Sequence, residues 1–167
     1  MNKIRGFEIV EKYKDADICL PERATNASAG YDFASAKTII IPSIWKLAGQ
    51  EKTEDTNNTL PSILVPTGIK AYMPSDEYLM LVNRSSNPLK HNLALPNGIG
   101  VIDADYYNNP NNEGEIFVQL INYGLEDYTI QKGERIAQGI FSSYYIIDGE
   151  EPIVAKRSGG FGSTGKN

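Results

Sequence analysis

The sequence predicts an all-β domain of short antiparallel strands, folded as a sandwich or barrel. Three observations carry that expectation. Apolar and polar residues alternate with period two in Gly6–Tyr13 and again in Glu115–Asn122. Turn signals rich in glycine, proline, asparagine and aspartate separate the apolar runs. Helical spacing occurs in one short stretch, Ser43–Gln50. With 167 residues, 41 % of them apolar and 22 % charged, the chain suits one domain with enough material for a core.

In chain order, Gly6–Tyr13 puts Phe7, Ile9 and Tyr13 on one face. Thr38–Pro42 is the next strand. Ser43–Gln50 is a short helix, with Ile44, Leu47 and Ala48 at i, i+3 and i+4. Glu51–Leu60 is polar and charged and reads as a surface loop. Leu64–Tyr72, Tyr78–Val82 and Gly98–Ile102 are strands near the turns Pro66–Gly68, Pro74–Asp76 and Asn97–Gly98. Glu115–Asn122, Tyr128–Ile130 and Arg135–Ile147 complete the set. The domain spans 1–155, with 43–62 as an inserted loop. The tail 156–167 is rich in glycine and hydroxyls, and reads either as a frayed end or as an arm that orders over a ligand.

Composition removes several function classes. The longest apolar runs fall far short of the ~18–20 residues that cross a bilayer. No basic start leads into an apolar stretch, so a cytoplasmic protein without a membrane anchor is expected. A net charge of -5 disfavours a general nucleic-acid binder. One cysteine, Cys19, cannot form an internal disulfide or a cysteine-rich metal site, and is expected as a small packing residue. One histidine, His91, excludes multi-histidine metal centres. The chemistry must come from carboxylates, hydroxyls, arginines and backbone. Gly160 to Lys166 nearly spells a P-loop, but Asn167 stands where Ser or Thr is required.

Four segments stand out. Arg84-Ser85-Ser86-Asn87 follows an apolar strand and offers donors to anionic oxygens, although the same residues make ordinary turns. Asn97 to Tyr106 is a strand that ends in two aspartates and a tyrosine, placing either a base or a structural turn there. Gly133-Glu134-Arg135-Ile136-Ala137-Gln138 is a tight turn that enters a strand. In Ser158 to Gly165, glycine amides with Ser163 and Thr164 make a phosphate cradle, and Phe161 a stacking face.

In this order the segments resemble the trimeric dUTPase family. The resemblance also takes in Ala24-Thr25 through Ser28-Ala29-Gly30-Tyr31-Asp32-Phe33 and Val65-Pro66-Thr67-Gly68-Ile69-Lys70. It implies a distorted jelly-roll-like barrel, a homotrimer with C-terminal arm exchange, and hydrolysis of dUTP to dUMP and pyrophosphate with Mg2+ on the triphosphate. That activity keeps uracil out of DNA and supplies dUMP for thymidylate synthesis. By the same resemblance, Asp103 is the base that activates water, and Asp105 is its arginine-paired neighbour. An aspartate, with a reference pKa of ~3.9, suits that work at neutral pH. Tyr106 packs against deoxyribose. Asn97 and the backbone of Gly100, Val101 and Ile102 read uracil in a hairpin that Phe117 completes. Ser85, Ser86 and Gln138 contact phosphate, as does Arg84 from across the interface. Asp32 touches the metal through water. In the arm, Lys156 or Arg157 meets the γ-phosphate, Phe161 covers the base, and Gly162, Ser163 and Thr164 meet phosphates. The stretches 43–62 and 108–113 are longer than the family pattern, and 108–113 reads as a lid, a contact surface or neither. The competing expectations are a dCTP deaminase-like enzyme of the same fold and a regulatory protein that binds a repressor-type partner at 43–60.

Overall fold

The computed structural model describes residues 3–48, 61–151 and 153. In chain order the strands are β1 Gly6–Ile9, β2 Glu22–Arg23, β3 Tyr31–Ala34, β4 Ile39–Ile41, β5 Ile63–Pro66, β6 Ile69–Tyr72, β7 Glu77–Asn83, β8 Leu93–Ala94, β9 Ile99–Asp103, β10 Phe117–Asn122, β11 Tyr128–Ile130 and β12 Arg135–Ser143. One α-helix, α1 Ile44–Ala48, lies between β4 and β5. The main sheet has the order β2-β3-β12-β7-β9. A second sheet runs β5-β10-β8, and two pairs, β1-β6 and β4-β11, complete the fold. The ladders are antiparallel. The all-β expectation holds. Among the described residues, the ladders form four separate sheets and do not close into one barrel.

Apolar residues of several sheets meet in one core. Phe33, Val65, Ile69, Leu79, Leu120 and Ile136 are buried there. Phe7 stands edge-on to Phe33, with ring centroids 5.3 Å apart. Gly139 on β12 makes that packing possible, because a Cβ there would lie 2.5 Å from Phe33 Cε2. Burying such side chains is the main favourable term in folding, at roughly 1.5–3 kcal/mol each.

The differences from expectation have local causes. The first strand stops at Ile9, where Val10 N bonds Gly68 O and a 3-10 turn, Glu11–Tyr13, buries Tyr13. The predicted strand Leu64–Tyr72 is two strands. Thr67 Oγ1 donates to Ile116 O (2.6 Å) and accepts from Ile69 N (3.2 Å), and Gly68 sits at φ +70°. The last strand ends at Ser143, not Ile147. Ser43 starts the helix, with its hydroxyl accepting from Trp45 N (3.2 Å). Cys19 is exposed instead of packed, because residues 14–20 run along the surface. No helix among the described residues is long and apolar enough to cross a membrane.

Candidate active site

Antiparallel register in the main sheet puts Gln138 beside both Asp32 and Val82. Arg84 follows the end of β7, and Arg135 opens β12. These side chains converge on Asp32. Its Oδ1 accepts from Arg84 Nε (3.1 Å) and Gln138 Nε2 (3.3 Å), and its Oδ2 accepts from Arg135 Nη1 (3.0 Å). The Asp32 side chain is 7 % exposed, so burial of its charge is tolerated because two guanidinium groups face it. Arg84 Nη1 also donates to Arg135 O (3.2 Å) and reaches Ser86 Oγ (3.5 Å). Beneath this turn, buried Asn87 donates to Asn83 Oδ1 (2.7 Å) and Ile136 O (2.8 Å), and Asn83 donates to Leu93 O (3.1 Å). Arg135, Asn83 and Asn87 are therefore support residues: Arg135 and Asn87 lie in segments that stand out in the sequence but carry no assigned role there, and Asn83 lies outside those segments. Asn87 reads there as turn chemistry, since Pro88 follows it.

Asp103 lies elsewhere in the same sheet. It ends β9 opposite Tyr78, whereas Ile99 at the start of β9 is opposite Val82. Four residues of β7 separate the two rows, roughly 13 Å along the strand. One chain therefore does not bring Asp103 to the Asp32–Arg84–Gln138 cluster. Among the described residues, β9 pairs with β7 alone and leaves an edge, where Ile99 and Val101 are exposed. Ile102 points inward, and Gly100 lies against Leu81. Asn97 is exposed in the turn before β9 and accepts from Ile99 N (2.8 Å). Phe117 lies on another sheet of the same chain. It opens β10 and pairs with Pro66, so it shares no ladder with Gly100–Ile102. The chain leaves the main sheet at Ala104–Tyr106, a 3-10 turn, and this carries it across to the second sheet.

Tyr106 is buried, and its hydroxyl donates to Glu115 O (3.0 Å). Three carboxyl groups flank the turn that follows. The Tyr107 hydroxyl holds Glu8 below the ordinary carboxylate range. The Lys70 amine does the same for Glu113, with help from Glu11 N. Burial pushes Glu115 up, against the Gly68 N–H that it accepts (3.3 Å). The stretch 108–113 is thus a packed turn.

No group of three or more His, Cys, Asp and Glu that could cage a metal occurs among the described residues. A carboxylate has about four acceptor directions, and Asp32 has three filled. One remains for a water, so Asp32 fits an outer contact to a metal and not direct ligation. Lys156, Arg157, Phe161, Gly162, Ser163 and Thr164 lie outside the described residues, as does most of the 43–60 stretch.

An aspartate held by two arginines and a glutamine, with a second carboxylate at a separate strand end, marks the main sheet of this all-β protein. The dUTPase family model matches residues 16–165, and the chain belongs to the dUTPase family. It is 48 % identical over 164 residues to the deoxyuridine 5'-triphosphate nucleotidohydrolase of Lactococcus lactis, covering 98 % of this chain and 99 % of that one. The crystal structure of dUTPase from Streptococcus mutans matches 86 % of this chain and 99 % of its own, at TM-score 0.74 and 44 % identity. A mutant dUTPase from phage phi11 of S. aureus, described with a structural Mg(II) ion, matches at TM-score 0.66 over 90 % of this chain and 97 % of its own. At 16 % identity it shares the fold alone.

Proposed function

We propose that this enzyme hydrolyses dUTP to dUMP and pyrophosphate by attack of an Asp103-activated water on the α-phosphorus. Likeness in sequence and fold to dUTPases over nearly the whole chain carries the reading. Asp103 orients a water and takes its proton. The water oxygen bonds to the α-phosphorus, the bond to the α–β bridging oxygen breaks, and pyrophosphate leaves. Arg84, Ser85, Ser86 and Gln138 meet phosphate oxygens, where charged donors give the stronger hydrogen bonds. The free edge of β9 at Gly100–Ile102, with Asn97 and Phe117, reads uracil through fixed backbone groups. Tyr106 presents a small edge to the sugar. Mg2+ held with the phosphates would neutralise their charge, and Asp32 would be the residue that holds it from this chain, through water.

The separation of Asp103 from the Arg84 cluster supports a composite site. In a homotrimer, one subunit supplies Asp103 and the β9 edge, and a neighbour supplies Arg84. The exchanged arm 156–167 closes the site, with Lys156 or Arg157, Phe161, Gly162, Ser163 and Thr164 on the nucleotide, and the subunits adopt the jelly-roll-like arrangement of the family. The direct test is pyrophosphate release from dUTP, dCTP, dTTP and UTP side by side. Release from dUTP alone is expected, and comparable release from dCTP or UTP overturns the reading. Light scattering at micromolar protein tests the composite site, which a monomeric mass excludes.

A further inference from the structure

Residues 107–114 fold back on themselves as a closed turn. Asn109 N donates to Tyr106 O (3.1 Å), Glu113 N to Asn109 O (2.7 Å) and Asn108 N to Glu113 O (3.0 Å). Asn112 uses both ends of its amide inside the turn. Its Oδ1 accepts from Gly114 N (3.1 Å), and its Nδ2 donates to the Tyr106 hydroxyl (2.7 Å). Gly114 sits at φ +80°, with its α-carbon against the Tyr106 carbonyl oxygen, where no side chain fits.

The outer side of the turn is fastened to β1, β6 and the segment after β1. The Lys70 amine on β6 donates to Asn108 Oδ1 (2.8 Å) and Glu113 Oε1 (3.0 Å). The Tyr107 hydroxyl donates to Glu8 on β1 (2.7 Å), and Glu11 N donates to Glu113 Oε2 (2.8 Å). The Lys70 side chain is 11 % exposed, so its bonds are largely shielded from water.

Ribose differs from deoxyribose by one oxygen atom. A steric wall rejects that atom only if the wall cannot retreat. A ring that is 4 % exposed and tethered at its hydroxyl from two sides cannot swing away. We propose that the 107–114 turn is a brace that immobilises Tyr106 and so sets the discrimination between deoxyribo- and ribonucleoside triphosphates. Asn112 is the inner positioning residue and Lys70 the outer one. The inference rests on the reading of Tyr106 as the sugar-facing residue.

The test compares kcat/KM for dUTP with kcat/KM for UTP across variants. Asn112→Ala and Tyr106→Phe each remove the bond between Asn112 and the hydroxyl, and each is expected to lower the dUTP/UTP ratio about three- to tenfold, as for one buried hydrogen bond. Combined, they should lower the ratio by less than the product of the single changes, because both remove the bond between Asn112 and the hydroxyl. Lys70→Met should lower the ratio about two- to threefold by loosening the turn from outside. Tyr106→Ala removes the wall and should lower the ratio further than any of these. If Tyr106→Ala collapses the ratio while Asn112→Ala and Tyr106→Phe keep the parent value, the brace is overturned and the sugar wall stands. If Tyr106→Ala itself keeps the parent ratio, both fall. An equal loss of turnover on both nucleotides in Asn112→Ala marks a merely structural role and also overturns the brace. Should Asn112→Ala not fold, Tyr106→Phe decides alone, since it keeps the ring and removes the tether.

Discussion

Two carboxylates of the main sheet, Asp32 and Asp103, sit in unlike surroundings. Asp32 lies on an inner strand, buried, with two arginines and a glutamine on its oxygens. Asp103 ends the edge strand, half-buried, at the point where the chain turns out of the sheet. Partners from β12 and from the end of β7 complete the first within one chain, whereas the second stands apart from that cluster. The contrast separates two uses of one residue type. A carboxylate with its charge matched by guanidinium groups fixes geometry, and a carboxylate at a strand end can receive a proton from something bound beside it.

Substitutions at the two positions should therefore fail in different ways. Asp103→Asn should lower dUTP turnover by ~10²–10⁴-fold, the usual weight of a general base, with binding retained. Steady-state pyrophosphate release and calorimetric titration measure both, and turnover within a few-fold of the parent would erase the contrast. Asp32→Asn should act first on folding. It leaves two arginines facing an uncharged amide and should destabilise by about 3 kcal/mol, at the low end for a broken buried pair because Arg135 is over half exposed. The urea midpoint reports it, and an unchanged midpoint would mean that the arginines find water at no penalty.

A second pair of tests addresses the turn beside Asp103. Gly114→Ala forces a side chain into the left-handed region against Tyr106 O, and should cost about 1–3 kcal/mol in thermal stability. The smallest effect concerns acid. Lys70 lowers the Glu113 pKa from its ordinary 4.5, so the folded protein binds this proton less readily than the unfolded chain. That contribution is fully present above about pH 4.5 and is lost as pH falls through the lowered value. Glu8 follows the same sign through Tyr107. Glu115, raised by burial, has the opposite sign and is favoured by acid. Glu113→Gln should flatten the acid limb of a stability-against-pH curve between pH ~5 and 3. If the variant and the parent lose stability in parallel there, the Lys70 pair contributes nothing.

The sequence made much of this visible wherever the signal was local. Tyr128–Ile130 is the strand predicted, residue for residue, because apolar and turn residues bound it closely. Arg84 and Gln138 stand in motif blocks and meet at Asp32, and Ser86, from the same block as Arg84, lies beside that arginine. What stayed hidden depends on partners distant in the chain. Tyr31–Ala34 is a strand with a charged residue buried in it, which alternation cannot reveal, since the charge is matched by residues 52 and 103 positions away. Asn112 lies in a run of turn-forming asparagines, and nothing in that run marks its amide as facing Tyr106. Lys70 reads as an ordinary strand lysine until the fold sets it under a turn that begins 37 positions later. The exchange of the chain between sheets after Asp103 likewise has no local signature.

Arg84 carries one further consequence. Its Nε–H is held by Asp32, and its Nη1 by a carbonyl and a hydroxyl, so the plane of the guanidinium is fixed before any ligand arrives. An arginine side chain carries about 2 kcal/mol of rotamer entropy. Here much of that disorder is lost during folding and need not be lost again on encounter. The Nη2 donors lie in that same fixed plane, because the guanidinium is planar. For the phosphate contact proposed above, recognition would accordingly be a matter of fit to a stationary fork, and a lysine in its place would have to be ordered anew with each molecule bound.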